Sequence, residues 1–107
     1  MYLCIYVDSV KAELFQLREL ITATDGKLIK LLGERQKLIL RVGELKRQNN
    51  LPVRDSVREK ALLESLVVQA EAEKISATLI TQIYRSIFDE SVADQESLNS
   101  SSPDSKK

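Results

Sequence analysis

From Ser9 to Lys46 the chain runs without a proline and repeats apolar or small side chains at helical intervals. Leu14, Leu17, Ile21, Thr24, Leu28 and Leu31 follow one another three or four residues apart, and Leu38, Val42 and Leu45 resume the pattern. Such spacing over many turns predicts one helix with a buried seam. Gly26, Gly33 and Gly43 fall off that seam and weaken the helix locally. About 38 residues rising ~1.5 Å each make a rod of about 57 Å. A compact chain of this size has a radius of gyration of about 13 Å, so the rod overhangs any globule the chain could form alone. Its seam therefore has to be covered by another molecule, and a second copy is the simplest partner.

Asp8 or Ser9 can cap the start of this helix, which leaves residues 1–8 as an N-terminal extension. Arg47–Val53, with the Asn49–Asn50 pair and Pro52, breaks the periodicity and predicts a loop. A second helix is expected from about Asp55 to Glu73, burying Leu62, Leu63, Leu66 and Ala70. Ser76 then caps a third, reaching about Leu98, with Ile80, Ile83, Tyr84, Ile87 and Phe88 turned inward. Residues 99–107 are Ser-rich, contain Pro103 and end in two lysines, a composition that predicts a disordered tail. The expectation is an all-α fold: three helices per chain, a very long first one, in an intertwined homodimeric bundle, with residues 9–98 as the single domain.

Sixteen basic residues balance sixteen acidic ones, so the overall field favours neither nucleic acid nor an anionic membrane surface. Anion binding must come from individually placed cations. Histidine is absent, which removes the commonest acid/base group for neutral pH. Cys4 stands alone, so it forms no intrachain disulfide and belongs to no metal-ligand spacing. The apolar opening Met1–Val7 stops at Asp8, too short to cross a membrane and without the flanks of a signal peptide. A reduced, cytoplasmic setting without metal or cofactor is expected.

Polar residues interrupt the inward faces. The position after Leu31 in the heptad spacing is Arg35; Ile39 and Val42 continue that side. Lys46, eleven residues beyond Arg35, returns to within about 20° of it. Arg18 lies about 100° around the helix and faces a different neighbour. On the third helix the stripe Ile80, Tyr84, Ile87 continues in phase as Ser91 and Gln95, flanked by Phe88 and Val92. Asp55, Arg58 and Glu59 open the second helix. Each group also has a plainer explanation. Arg35 could set coiled-coil register with Arg18 and Lys46 as flanking charges. Ser91 and Gln95 could mark a fraying helix end, and Asp55 is a natural N-cap.

Taken in order, these residues resemble the all-helical chorismate mutase family. Leu17-Arg18-Glu19-Leu20-Ile21 is similar to the family's opening, followed by Asp25, Leu31-Leu32-Gly33-Glu34-Arg35 and Val42-Gly43-Glu44-Leu45-Lys46. Pro52-Val53-Arg54-Asp55, Arg58-Glu59-Lys60 and Ser91-Val92-Ala93-Asp94-Gln95 complete the series without a gap. Departures are Arg41, the turn Glu73-Lys74-Ile75, where the family often has glycine, and the extra residues 1–8.

The resemblance implies a cofactor-free rearrangement of chorismate to prephenate, in a pocket of one chain completed by Arg18 of the partner subunit. Arg35 and that Arg18 would hold the two carboxylates through bidentate forks. Lys46 and Gln95 would donate to the ether oxygen. Glu59, helped by backbone near Asp55, would take the ring hydroxyl; Ser91 would bond the ring carboxylate, and Arg58 would support the acidic pair or the substrate. Val42, Phe88 and Val92 would wall the ring. A Claisen-type rearrangement needs no nucleophile or proton transfer. It needs a folded substrate and donors aimed at the oxygen that gains charge. An isochorismate pyruvate-lyase on the same fold, or a non-catalytic helical dimerisation module, would account for parts of the same pattern.

Overall fold

The computed structural model describes the backbone of residues 2–100 and the side chains of residues 7–99. Its regular structure is helical throughout: α1 (Tyr2–Gln48), α2 (Ser56–Ala72) and α3 (Ala77–Ser100), with no strand among the described residues. The chain divides into two units inside α1, the first ending at Arg35 and the second starting at Gln36.

The first unit is helix alone. Asp8 and Ser9 do not cap it; α1 already runs through them from Tyr2. The apolar run before Asp8 has no helix breaker, and a capping residue is not obliged to cap. From Val7 to Glu34 every side chain is exposed within the single chain. Those include Leu14, Leu17, Leu20, Ile21, Leu28 and Leu31, the large apolar residues of the seam and its neighbours.

The second unit contains the packed structure. The last turns of α1 cover a stripe of buried Gly43 and half-buried Gln36, Ile39 and Lys46, spaced three and four residues apart. The seam residues Leu38, Val42 and Leu45 remain exposed instead. Gly43 shows why: a Cβ there would lie 2.8 Å from Gln95 Cγ and 2.9 Å from Leu98 Cδ1. The C-terminal part of α3 thus packs on the face that holds the glycine, contrary to the expectation that Gly43 points away from packing. Gln36 Nε2 donates to Asp94 Oδ2 (2.6 Å) on the same side.

Both interhelix turns end a helix in the same way. Asn50 (φ 55°) and Lys74 (φ 60°) take the left-handed conformation. Leu51 N–H then reaches Lys46 O and Ile75 N–H reaches Ala70 O, both at 2.8 Å. These six-to-one bonds close Schellman motifs and satisfy carbonyls that the helix leaves open. Asp55 caps α2 by accepting from Arg58 N–H at 3.0 Å, so α2 starts at Ser56. Ser76 Oγ accepts from Leu79 N–H at 3.3 Å, as its place before α3 predicts.

α2 and α3 pack on each other, and Leu62, Leu63, Leu66 and Ala70 of α2 and Ile80, Tyr84, Ile87 and Phe88 of α3 are all buried or half-buried. The Tyr84 and Phe88 rings stand 5.9 Å apart at 57°. Ile83, expected inward, is 42% exposed. At 100° per residue it falls about 110° from the middle of the arc through Tyr84, Phe88, Ser91 and Gln95. α3 remains helical through Ser100, two residues past the expected end at about Leu98; residues 101–107, most of the expected tail, lie outside the described residues.

Candidate functional site

Where the stripe of α3 turns polar, burial increases. Ser91 is 6% exposed and Gln95 5%, against 7% for Phe88, so the two polar residues are as enclosed as the aromatic one. A fraying helix end would expose them. Ser91 Oγ donates back to Ile87 O at 2.8 Å, a bond within its own helix. Gln95 is different, because its Oε1 is buried and accepts no hydrogen bond. Leaving such a group unpaired costs about 1–3 kcal/mol. A half-turn of the amide exchanges Oε1 and Nε2, so the same place can present a donor or an acceptor to a bound molecule.

Lys46 lies three residues beyond Gly43 on the same covered stripe of α1. Its half-buried side chain donates to Val53 O at 2.6 Å, tying the end of α1 to the loop before α2. At the start of α2, Asp55 is engaged as the cap and Arg58 is exposed. Glu59 is half-buried, with Arg54 Nη1 at 3.6 Å. Arg54 also bonds Asp89 Oδ1 on α3 at 2.7 Å. That hydrogen bond first, and the charges of Glu59, Asp89 and Glu96 with it, raise the guanidinium's pKa further.

A cavity of about 680 Å³ opens beside this ion pair, between α2 and α3. Of the expected site residues it includes Glu59 and Phe88. Its other lining includes Leu63, Val67 and Thr81 and the cations Arg54, Lys60 and Arg85. Arg54 and Lys60 stand inside the quoted segments Pro52–Asp55 and Arg58–Lys60. Neither stands out in the sequence, because a solvated cation near the start of a helix carries no signal of its own.

The second unit thus brings Ser91, Gln95, Phe88 and half-buried Val92 together on α3, with the end of α1 packed against Gln95 at Gly43. Val42, expected in the pocket wall, is 41% exposed in the single chain. Arg18 and Arg35 belong to the first unit, where Arg18 is exposed and Arg35 half-buried. No cluster of three or more metal-ligating side chains occurs among the described residues.

The sequence profile of the family described as Chorismate mutase type II matches residues 17–96, three quarters of the chain. The chain belongs to this family. Similar proteins include the bifunctional chorismate mutase/prephenate dehydratase of Escherichia coli strain K12, 42% identical over 85 residues. The protein of the same description from Enterobacter agglomerans is 40% identical over 85 residues. Each alignment covers 79% of this chain and 22% of the relative. The T-protein of Haemophilus influenzae is 38% identical over 79 residues, 74% of this chain and 21% of that protein. The chain therefore spans about a fifth of the length of the relatives it matches. As a chorismate mutase type II member it has all of its expected site residues, Arg18 to Gln95, inside the matched stretch. No helix among its described residues is long and apolar enough to cross a membrane.

Proposed function

We propose that the protein is a chorismate mutase, an isomerase that converts chorismate to prephenate in aromatic amino acid biosynthesis. The observation that carries the reading is the buried Gln95 side chain, whose Oε1 has no hydrogen-bond partner, on a helix of this family. A charge-separating rearrangement asks for a donor held in place before the reaction, so that no reorganisation is needed as the ether oxygen gains charge. Gln95 and Lys46 supply that donor pair; Lys46 exchanges its bond to Val53 O for one to substrate.

Glu59 receives the ring hydroxyl near Asp55, Ser91 the ring carboxylate, and Arg58 supports this end of the site. Phe88, Val92 and Val42 enclose the ring. Arg35 and Arg18 of the partner subunit grip the two carboxylates and fold the substrate toward its reactive shape. The working unit is an intertwined homodimer built on a very long first helix, in the cytoplasm. Its support is the exposed seam Leu14, Leu17, Ile21, Leu28 and Leu31, which is more apolar surface than a stable monomer leaves in water.

Incubation with chorismate, with prephenate followed by its acid-catalysed conversion to phenylpyruvate, tests the reading. Prephenate formation is the expected result. Release of pyruvate from isochorismate without any turnover of chorismate would replace it with the lyase, and inertness toward both would leave a dimerisation module.

A further inference from the structure

Three glycines stand in α1, and they differ in what surrounds them. A Cβ built on Gly26 or Gly33 has no neighbour within 4 Å in the chain, while one on Gly43 meets Gln95 Cγ at 2.8 Å, Leu98 Cδ1 at 2.9 Å and Gln95 Cβ at 3.3 Å. Both near approaches are shorter than carbon atoms tolerate. The two contacts are unequal in consequence. Leu98 Cδ1 is the free end of a flexible side chain and can swing away. Gln95 Cγ is the middle of a side chain whose amide is enclosed at 5% exposure, so moving Cγ moves the amide.

We infer that Gly43 is a positioning residue for catalysis: its missing side chain is the space into which the Gln95 stem fits, and that fit aims the amide. The inference rests on the reading of Gln95 as the donor to the ether oxygen, and it adds the element that holds this donor in register. Glycine disfavours a helix interior, and here close approach of α3 gives it a use. The Gln36–Asp94 hydrogen bond, two turns earlier on the same face, holds α3 against α1 and prevents the whole helix from backing away.

The test is Gly43→Ala, read in two ways. In a crystal structure of the variant, the Gln95 stem is expected to rotate or shift by about 1 Å, a displacement large enough to cost up to about 100-fold in rate. kcat should fall about 10- to 100-fold, with KM changed little. In the Gln95→Ala background the same substitution should change kcat less than about twofold, because a residue acting only through Gln95 has nothing left to position. Gly43→Ala with Leu98→Ala removes the other overlap and should not restore activity. Full additivity with Gln95→Ala, or rescue by Leu98→Ala, would show a packing role alone and overturn the inference. So would a crystal structure with the Gln95 amide unmoved. If the parent protein does not turn over chorismate, the functional reading fails, and the position of Gln95 in the variant still decides whether Gly43 seats it.

Discussion

Two stretches of one helix obey different rules. From Val7 to Glu34, α1 carries a regular apolar seam, yet none of its side chains is buried in the single chain. From Gln36 to Gln48 the same helix buries Gly43 and half-buries Gln36, Ile39 and Lys46 along one stripe. Apolar periodicity therefore does not mark the intrachain contact here. It marks the surface that another molecule is proposed to cover, while the intrachain contact is made by shape and polar pairing at Gly43 and Gln36.

The sharpest way to break that comparison is to charge the seam. Leu17→Asp with Leu28→Asp places two carboxylates where a second copy is proposed to pack, and burying an unpaired charge is prohibitive. Helical circular dichroism and the dimer mass in sedimentation equilibrium should both collapse. A variant that stays helical and monomeric at low micromolar concentration would show that the first stretch needs no partner.

Next in size is the proposed division of the site between two chains. Arg18→Ala and Arg35→Ala homodimers should each lose nearly all activity. After subunit exchange, random mixing leaves about a quarter of the sites with both arginines, all in heterodimers. Activity should return to about that fraction. Failure to return, with exchange verified by mass, would place all the cations of a site in one chain.

Gln95→Glu probes the second stretch by pH. An amide donates at any pH, whereas a glutamate donates only when protonated, near pH ~4.3 if exposed. Losing one preorganised donor costs about 10²–10³ in rate. The variant should be slowed by that factor at pH 7–8 and recover as pH falls toward about 5. Burial raises a carboxyl's pKa and moves the recovery upward. Parallel kcat/KM profiles for variant and parent would remove Gln95 from the site.

Smaller effects separate the stretches through stability. Gly26 has open space around it, so Gly26→Ala should stabilise by about 1 kcal/mol through helix propensity alone. Lys74 pays for a left-handed φ of 60°, and Lys74→Gly should return about 1 kcal/mol. Both are read as increases in Tm; a decrease for Gly26→Ala would mean that the proposed partner packs against that face.

The smallest effect is expected at Glu44. Its hydrogen bond from Arg47, and the charge of that residue, hold the carboxyl below the usual range. A lowered folded-state pKa contributes stability above the unfolded value and loses it as pH falls through the lowered one. Both side chains are exposed, so Glu44→Gln should move Tm at pH 7 by no more than about a degree, with any difference vanishing in acid.

By itself the sequence determined the three helices, because caps and breakers act over a few residues. Asp55 and Ser76 cap where their side chains can reach the next N–H groups, and Asn50 closes α1 in the loop that the Asn-Asn pair announced. It also determined the family, through polar residues whose spacing is independent of packing. The Asp8 cap failed because a favourable cap competes with simple continuation of the helix, and nothing there forbids continuation. Tertiary structure alone decided which face of α1 packs within the chain. Leu38, Val42 and Leu45 had the stronger periodic signal, but α3 lies against Gly43, since only a residue without a side chain lets two helices approach so closely. It alone decided that Ser91 and Gln95 are enclosed rather than frayed, because burial at a helix end depends on what lies against it. A periodic pattern records that a face is apolar; the identity of its neighbour is a property of three dimensions.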